Sequence, residues 1–360
     1  MNESERRYRP YSVRLRGIVI GGGAPVVVQS MTKTRTDDVV RTVRQIRRLE
    51  RAGCELVRVA VPDGRAASVL PDIRVRTRLP LCADVHFDHR LALAALRAGF
   101  DKVRINPGNI GSRRKVEEII RAAADSGAAI RVGVNAGSVE KSVLARHRHP
   151  TAVALVESIE KSLEPFQQLG FTSVVLSAKT TSVADTVEVY RRLARIFRYP
   201  LHLGLTEAGL PFAGAIRTAA ALAPLLLDGI GDTIRVSLTG DPVLEVEAAY
   251  ELLAALRLRH RGPVVYSCPT CGRTRADVAG MARRVHRALA GVRRPLKVAV
   301  MGCVVNGPGE AREADFGIAC GRSKGAVFAH GRVVKTCSED KLVGELIRCI
   351  ADDGDEAVPK

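Results

Sequence analysis

Asp37–Gly53 reads DDVVRTVRQIRRLERAG and runs straight into Cys54–Pro62, CELVRVAVP. The first stretch has helical periodicity and ends in a glycine, the residue that most readily takes the left-handed turn closing a helix. The second is a short β-branched run of strand character. This helix-to-strand joint recurs along the chain. Strand-like runs appear as PVVVQSM, CELVRVAVP, LPLCADVHF, KVRINPG, AIRVGVN, SVVLSAK, LHLGLTE and TIRVSLT, with helical segments such as HRLALAALRAG, SRRKVEEIIRAAADSG and TSVADTVEVYRRLARIF between them. Eight βα units over about 255 residues predict an α/β fold, a (β/α)8 TIM-type barrel. An open doubly wound sheet is the alternative, but it has no need of an eighth repeat.

Strand parity then separates two faces. Arg58, Arg104, Arg131 and Arg235 each stand between two Val or Ile residues on four different strands. Side chains alternate along a strand, so the apolar neighbours face the helices and the arginines face the barrel axis. The same parity sends Asp84, His86, Asn106, Asn135, Ser177, Lys179, Thr206 and Ser237 inward. Barrel interiors are normally filled by branched apolar side chains, so polar groups at strand C-terminal ends mark a ligand mouth. Internal salt bridges are one account of the cations. The interior carboxylates expected from sequence, Asp84 and Glu207, are too few to neutralise four arginines and a lysine, which favours a multiply anionic ligand. Glu207, after the seventh strand, is read either as a helix cap or as a catalytic acid. Asp84 and His86 share a face by their two-residue spacing.

The 360 residues carry a net charge of +18, with 46% hydrophobic, 26% charged and 4% aromatic residues and no Trp. Nucleic-acid binding is one reading of that charge. The arginines, however, are spread over many helix faces, and the aromatics that stack on bases are scarce. Solvated helix faces account for most of them, and a positive field also suits an anionic substrate or an acidic electron carrier. No apolar run approaches the roughly 20 residues of a membrane span. The basic N-terminus lacks the apolar core of a signal peptide, so a cytoplasmic location is expected. His260–Pro263 reads as a boundary, dividing a substrate-binding barrel at 1–260 from a smaller α/β domain at 261–360. Gly21–Gly23 precedes a strand instead of opening a helix, so it reads as a hairpin or loop, not a dinucleotide fingerprint.

The second domain carries CPTCGRT, with Cys268 and Cys271, and then MGCVVNGPGE, with Cys303 and Glu310. A Cys-x-x-Cys pair in a reducing compartment points to a metal or redox site before a disulfide. Structural zinc wants four Cys or His ligands, and no second Cys pair or His pair follows Cys303. Three thiolates fall one short of the usual set for a [4Fe–4S] cluster. Glu310, in the same loop, is the candidate for the fourth place. Cys54, Cys82, Cys320, Cys337 and Cys349 lack ligand-like surroundings.

CPTCGRT followed by KVAVMGCVVNGPGEAREAD resembles the cluster-binding segment of the 4-hydroxy-3-methylbut-2-en-1-yl diphosphate synthase family. The likeness extends through VQSMTKT, ADVHFD, VRINPGNIG, LGLTEAG and GDTIRVSLTGDP. It implies an iron–sulfur oxidoreductase of the non-mevalonate isoprenoid pathway with a [4Fe–4S] cluster held by Cys268, Cys271, Cys303 and Glu310. The implied substrate is 2-C-methyl-D-erythritol 2,4-cyclodiphosphate, opened and dehydroxylated with two electrons, with Glu207 in proton delivery. It also implies reduced flavodoxin or ferredoxin as donor. A homodimer is implied as well, setting one chain's cluster domain over the other's barrel. Two rivals come from other classes: an RNA-binding zinc protein, and a redox-independent barrel enzyme acting on a phosphorylated metabolite.

Overall fold

The computed structural model describes residues 8–274, 276–303, 313–321 and 324–353 (Lys141 by its backbone only), and the chain forms two compact units that part between Arg259 and His260. The first unit opens with a hairpin, β1 (Ser12–Leu15) and β2 (Ile18–Gly21), paired antiparallel. Eight strands follow: β3 (Val27–Met31), β4 (Leu56–Ala60), β5 (Leu81–Asp84), β6 (Lys102–Ile105), β7 (Ala129–Asn135), β8 (Val174–Lys179), β9 (His202–Leu203) and β10 (Thr233–Ile234). They form one parallel sheet in the order β8-β7-β6-β5-β4-β3-β10-β9. A parallel bridge between Leu176 and Leu201 brings β8 to the start of β9, and Leu176 N donates to Pro200 O at 2.8 Å. The sheet is therefore a near-closed barrel.

The helices of this unit are, in chain order, α1 (Val39–Ala52), α2 (Gly64–Ser68), α3 (Leu70–Val75), α4 (His89–Arg97), α5 (Pro107–Ile110) and α6 (Arg113–Ser126). They continue as α7 (Lys141–His147), α8 (Ala152–Gln168), α9 (Val183–Ile196), α10 (Pro211–Leu227) and α11 (Pro242–Ala255). Helix α1 shows how the local signals work. The Asp38 carboxylate accepts the Arg41 N–H at its start, and Gly53, at φ 97°, ends it in the left-handed region. Between them Val43, Ile46 and Leu49 are buried, each such burial contributing about 1.5–3 kcal/mol.

The alternation along the strands holds. Val57, Val59, Val103, Ile105, Ile130, Val132, Ile234 and Val236 join the core beneath the helices. At the N-terminal end of the barrel, the hairpin inserts Val13, Leu15 and Ile20 against Val27, Leu56, Cys82, Ala129 and Val175. That plug closes one end with apolar side chains and leaves the other for polar ones. The glycine run lies where the hairpin returns. Gly21 has φ 77°, and a Cβ there would stand 2.3 Å from Tyr11 O, so glycine is required.

Two strands differ from expectation. The runs 201–207 and 233–239 form ladder only at His202–Leu203 and Thr233–Ile234. Gly204 gives the seventh strand no side chain, and a Cβ there would lie 2.5 Å from Lys179 Nζ. Beyond it the chain is held by single bonds, Arg235 N to Leu203 O at 3.0 Å and Thr206 N to Thr180 O at 3.1 Å.

The second unit is a five-stranded sheet ordered β11-β12-β13-β14-β15. Strands β11 (Val264–Ser267), β12 (Lys297–Met301) and β13 (Phe316–Cys320) are parallel; β14 (Lys324–Ala329) and β15 (Arg332–Ser338) continue it antiparallel. Helices α12 (Val278–Ala288) and α13 (Glu339–Asp352) cover one face through Met281, Val285, Leu342 and Leu346. Among the described residues, no helix is long and apolar enough to cross a membrane.

Candidate active site

At the C-terminal ends of the barrel strands the inward side chains converge around Asp84. Its carboxylate accepts Arg104 Nη1 at 3.4 Å, with Arg58 Nε at 3.8 Å and His86 Nε2 at 3.6 Å. Burial alone would raise the Asp84 carboxyl, but Arg58, His86 and Arg104 outweigh it and hold it well below the usual carboxylate range. Asp84 is thus an ionised post that orients two guanidinium groups. Arg104 also donates through Nη2 to Gly133 O at 3.2 Å. Gly133 makes room for this: a Cβ there would stand 2.9 Å from Arg104 Nε and 3.0 Å from Ser177 Oγ.

The remaining cations are less well served. Arg131 is buried and donates through Nε to Ser177 Oγ at 2.9 Å, while its Nη1 has no partner. Arg104 Nε and Arg235 Nε are likewise buried without partners. Burial, with Arg58 and Arg104 beside it, pulls the Arg131 guanidinium down from its usual value, though a guanidinium keeps its proton at neutral pH. Lys179 is buried too. Burial first, then Arg131, Arg58, Arg235 and Arg104, drive its ammonium well below the ordinary lysine range.

Sequence reasoning placed Glu207 as the second interior carboxylate. In the structure Glu207 is exposed, at the strained φ of 55°. The interior position belongs instead to Glu245 in the first turn of α11, whose side chain is wholly buried. Glu245 accepts Ser30 Oγ at 2.9 Å, Leu238 N at 3.2 Å and Arg235 Nη2 at 3.4 Å, and pairs with Lys33 Nζ at 3.0 Å. The only sequence signal for it was a glutamate beside an apolar residue just after Pro242, which is indistinguishable from an ordinary helix-start carboxylate.

Deeper in the barrel, Lys102 was also missed. Its Nζ donates to Gln29 Oε1 at 3.3 Å, and burial pushes its ammonium down to about 8. Beside it, His202 meets Thr233 Oγ1 through Nδ1, and its Nε2 has no partner. Among the described residues, Arg58, Arg104, Arg131, Arg235, Lys102 and Lys179 face only the buried carboxylates Asp84 and Glu245. The surplus is positive.

Asn106 and Asn135 are occupied in shaping the rim. Asn106 Oδ1 accepts Gly108 N at 3.2 Å, and its Nδ2 donates to Ser138 O and Oγ, both at 3.2 Å. Asn135 N donates to Ser138 Oγ at 3.1 Å. Thr206 and Ser237 are half-buried at the ends of their strands, and His86 is exposed beside Asp84. A cleft of ≈ 980 Å³ opens next to this mouth, lined among others by His86, Asn109, Arg113, Ser138 and Glu140. Of the predicted ligand residues it includes only His86, so it adjoins the arginine ring without being the same place.

An anion among these cations should restore Lys179 towards its ordinary protonation. The sign follows from the direction of the shift: burial and the neighbouring arginines disfavour the charged lysine in the ligand-free protein, and an anion favours it, so binding draws protons in. Calorimetry of inorganic pyrophosphate binding in buffers of different ionisation heat should show wild type taking up more protons than Lys179→Met. Equal proton counts in the two proteins would refute this.

In the second unit, Cys268 directly follows β11 and Cys303 lies two residues past β12, so both stand at the C-terminal ends of adjacent parallel strands. Cys268 N donates to Val300 O at 3.1 Å, and Gly302 N donates to Cys268 Sγ at 3.3 Å. Cys271 is exposed, after Thr270 at φ 53°. Glu310 lies outside the described residues. Among those described, no three His, Cys, Asp or Glu side chains are gathered closely enough to hold a metal.

The chain matches two family models, the GcpE TIM-barrel domain over residues 11–250 and the GcpE protein C-terminal domain over 264–352. It is 50% identical over 346 residues to a protein of Anoxybacillus flavithermus, covering 96% of this chain and 95% of that one. It is 50% identical over 342 residues to one of Thermodesulfovibrio yellowstonii, covering 95% and 98%. Both relatives are named 4-hydroxy-3-methylbut-2-en-1-yl diphosphate synthase (flavodoxin). Among solved structures, the 3-dehydroquinate dehydratase of Geobacillus kaustophilus superposes with TM-score 0.50 at 15% identity, over 71% of this chain and 100% of that one, a likeness of fold alone.

Proposed function

The chain belongs to the GcpE family, and on that premise we propose that it opens 2-C-methyl-D-erythritol 2,4-cyclodiphosphate reductively to 4-hydroxy-3-methylbut-2-en-1-yl diphosphate. It is an oxidoreductase of isoprenoid precursor synthesis. Two electrons and one proton enter, the ring C–O bond breaks, and the C3 hydroxyl oxygen leaves as water. The observation that carries this reading is the surplus of buried cations at the barrel mouth, with Arg104, Arg131 and Arg235 each holding a buried N–H without a partner. A diphosphate supplies the missing acceptors, each charge-assisted hydrogen bond being worth about 1.5–3 kcal/mol.

In this reading Asp84 aims Arg58 and Arg104 at phosphate oxygens, while Arg131, Lys179 and Arg235 complete the cradle. His86, Asn106, Asn135, Thr206 and Ser237 border it. Glu207, exposed at the rim, is the group assigned to handle the proton.

Cys268, Cys271 and Cys303, with Glu310, are proposed to hold a [4Fe–4S] cluster, which when bound supplies single electrons. The donor set fits: three thiols follow two adjacent strands, and the Gly302 N–H directed at Cys268 Sγ stabilises a thiolate there. Electrons would come from reduced flavodoxin, the donor class in the relatives' names, or ferredoxin. A cytoplasmic homodimer completes the proposal.

Anaerobically prepared protein should carry about four irons and four sulfides per chain. With reduced flavodoxin it should convert the cyclodiphosphate to the linear diphosphate, identified by phosphorus NMR. Stoichiometric zinc with negligible iron, or no turnover of the cyclodiphosphate by iron-loaded protein, overturns the reading. Glu310→Ala should lose part of the iron and most of the turnover, whereas Glu310→Cys should keep iron but turn over slowly. Wild-type rates in both variants with an artificial low-potential reductant would remove Glu310 from the ligand set. Light scattering should give twice the chain mass.

A further inference from the structure

We propose that the groove between α12 and the outer edge of β11 is the docking surface for an acidic, flavin-carrying electron donor. The proposal rests on the reading of Cys268, Cys271 and Cys303 as the cluster site. Among the described residues, strand β11 ends its sheet and one side of it has no strand partner. Facing it, α12 presents Arg283, His286 and Arg287 at helical spacing, with Ala290 in the turn just after the helix, all exposed. Together with Val265, Ser267 and Ala282 they line a cleft of ≈ 540 Å³. The floor is small and apolar, and the rim is basic.

The charge on this face is also unmatched. On α6, Arg113 pairs with Glu117, and on α9, Arg192 pairs with Glu188. Helix α12 contains no acidic residue. Among the described residues, no carboxylate lies within ion-pair distance of Arg283, His286 or Arg287, and nothing acidic lines the cleft. A basic rim around an apolar centre is what an acidic protein surface complements, with charge steering the encounter.

Position supplies the second argument. Ser267 lines the groove, and the next residue is Cys268. A donor seated here abuts the strand that leads into the thiolate loop, which matters because electron transfer weakens steeply with distance. Each docking would pass one electron from reduced flavin to the cluster, the donor being oxidised and the cluster reduced. Two dockings would serve one ring opening.

The test compares Arg283→Glu/Arg287→Glu with Arg44→Glu/Arg47→Glu, which makes the same change of net charge on the exposed face of α1. Turnover is measured with reduced bacterial flavodoxin and, separately, with dithionite and methyl viologen. The α12 variant should lose at least about tenfold in kcat/KM for flavodoxin at low salt. It should keep wild-type iron content, dimer mass and dithionite-driven turnover, and the α1 variant should match wild type throughout. Arg283→Gln/Arg287→Gln should fall between.

Unchanged flavodoxin kinetics in the α12 variants overturns the proposal. Equal losses in the α1 variant do so too, assigning the effect to net charge. So does dissociation of the dimer on α12 substitution, which would make the groove a contact between copies. If the wild-type protein turns over with neither donor, it is the enzymatic reading that fails.

Discussion

Replacing Arg131 by methionine should lower kcat/KM for the cyclodiphosphate at least a hundredfold and at the same time raise the melting temperature of the ligand-free protein. The two signs have one cause. Arg131 is buried, donates one bond to Ser177 and holds Nη1 without a partner, amid other cations. With substrate bound, both ends of the guanidinium can reach phosphate oxygens, and losing two charge-assisted bonds removes about 3–6 kcal/mol. Without substrate, the same group is an uncompensated buried charge, and an apolar side chain of similar length relieves it by about 1–4 kcal/mol. At roughly 2–4 °C per kcal/mol for a domain of 150–250 residues, the shift should be several degrees. Arg104→Ala and Arg235→Ala should weaken substrate use by at least tenfold. Their stability change should be smaller or reversed, because Asp84 and Glu245 would lose a partner. Iron content should stay at the wild-type level in all three. Kinetics within threefold of wild type for Arg131→Met would sink the anion-cradle account; a lower melting temperature would make Arg131 a structural residue.

Strand parity carries so much here because it is a strict geometric rule. Once CELVRVAVP is a strand, Val57 and Val59 must share one face and Arg58 the other, and the structure obeys this on all four arginine-bearing strands. The residues that escaped were of two kinds. Glu245 reaches the barrel from a helix, where period-2 parity says nothing and a first-turn carboxylate has an ordinary explanation. In the second unit, only the strand at PLKVAVMG is legible in the sequence; β11, β13, β14 and β15 are not, and for β13 and β14 the glycines within them are one cause. Gly317 in β13 would, with a Cβ, stand 2.3 Å from Phe328 Cζ, and Gly325 in β14 would meet Leu342 Cδ1 at 2.5 Å. Those positions are glycine because an aromatic ring and a helix pack directly onto the backbone. In sequence the same glycines look like strand breakers.

Gly302→Ala should cost most of the iron, and turnover should fall in proportion. A Cβ at residue 302 would stand 2.6 Å from Val278 Cγ2, 2.9 Å from Thr274 Cγ2 and 3.2 Å from Cys268 Sγ. Val278 is buried at the start of α12, so it cannot swing away, and Thr274 belongs to the turn that follows Cys271. The strain must therefore pass to the two cysteine loops, lengthening or breaking the bond from Gly302 N to Cys268 Sγ. Gly272 provides the contrast. It sits directly after Cys271, yet a Cβ there would meet nothing within 4 Å, and its φ lies outside the left-handed region. Gly272→Ala should thus keep iron, visible absorbance and rate near wild type, although it too adjoins a thiol ligand in sequence. Iron and sulfide analysis with circular dichroism of each variant separates cluster loss from unfolding of the sheet. Equal iron in the two variants would mean that the Gly302 contact does not govern where Cys268 stands. Loss in Gly272→Ala alone would place the sensitive geometry in the Cys271 turn instead.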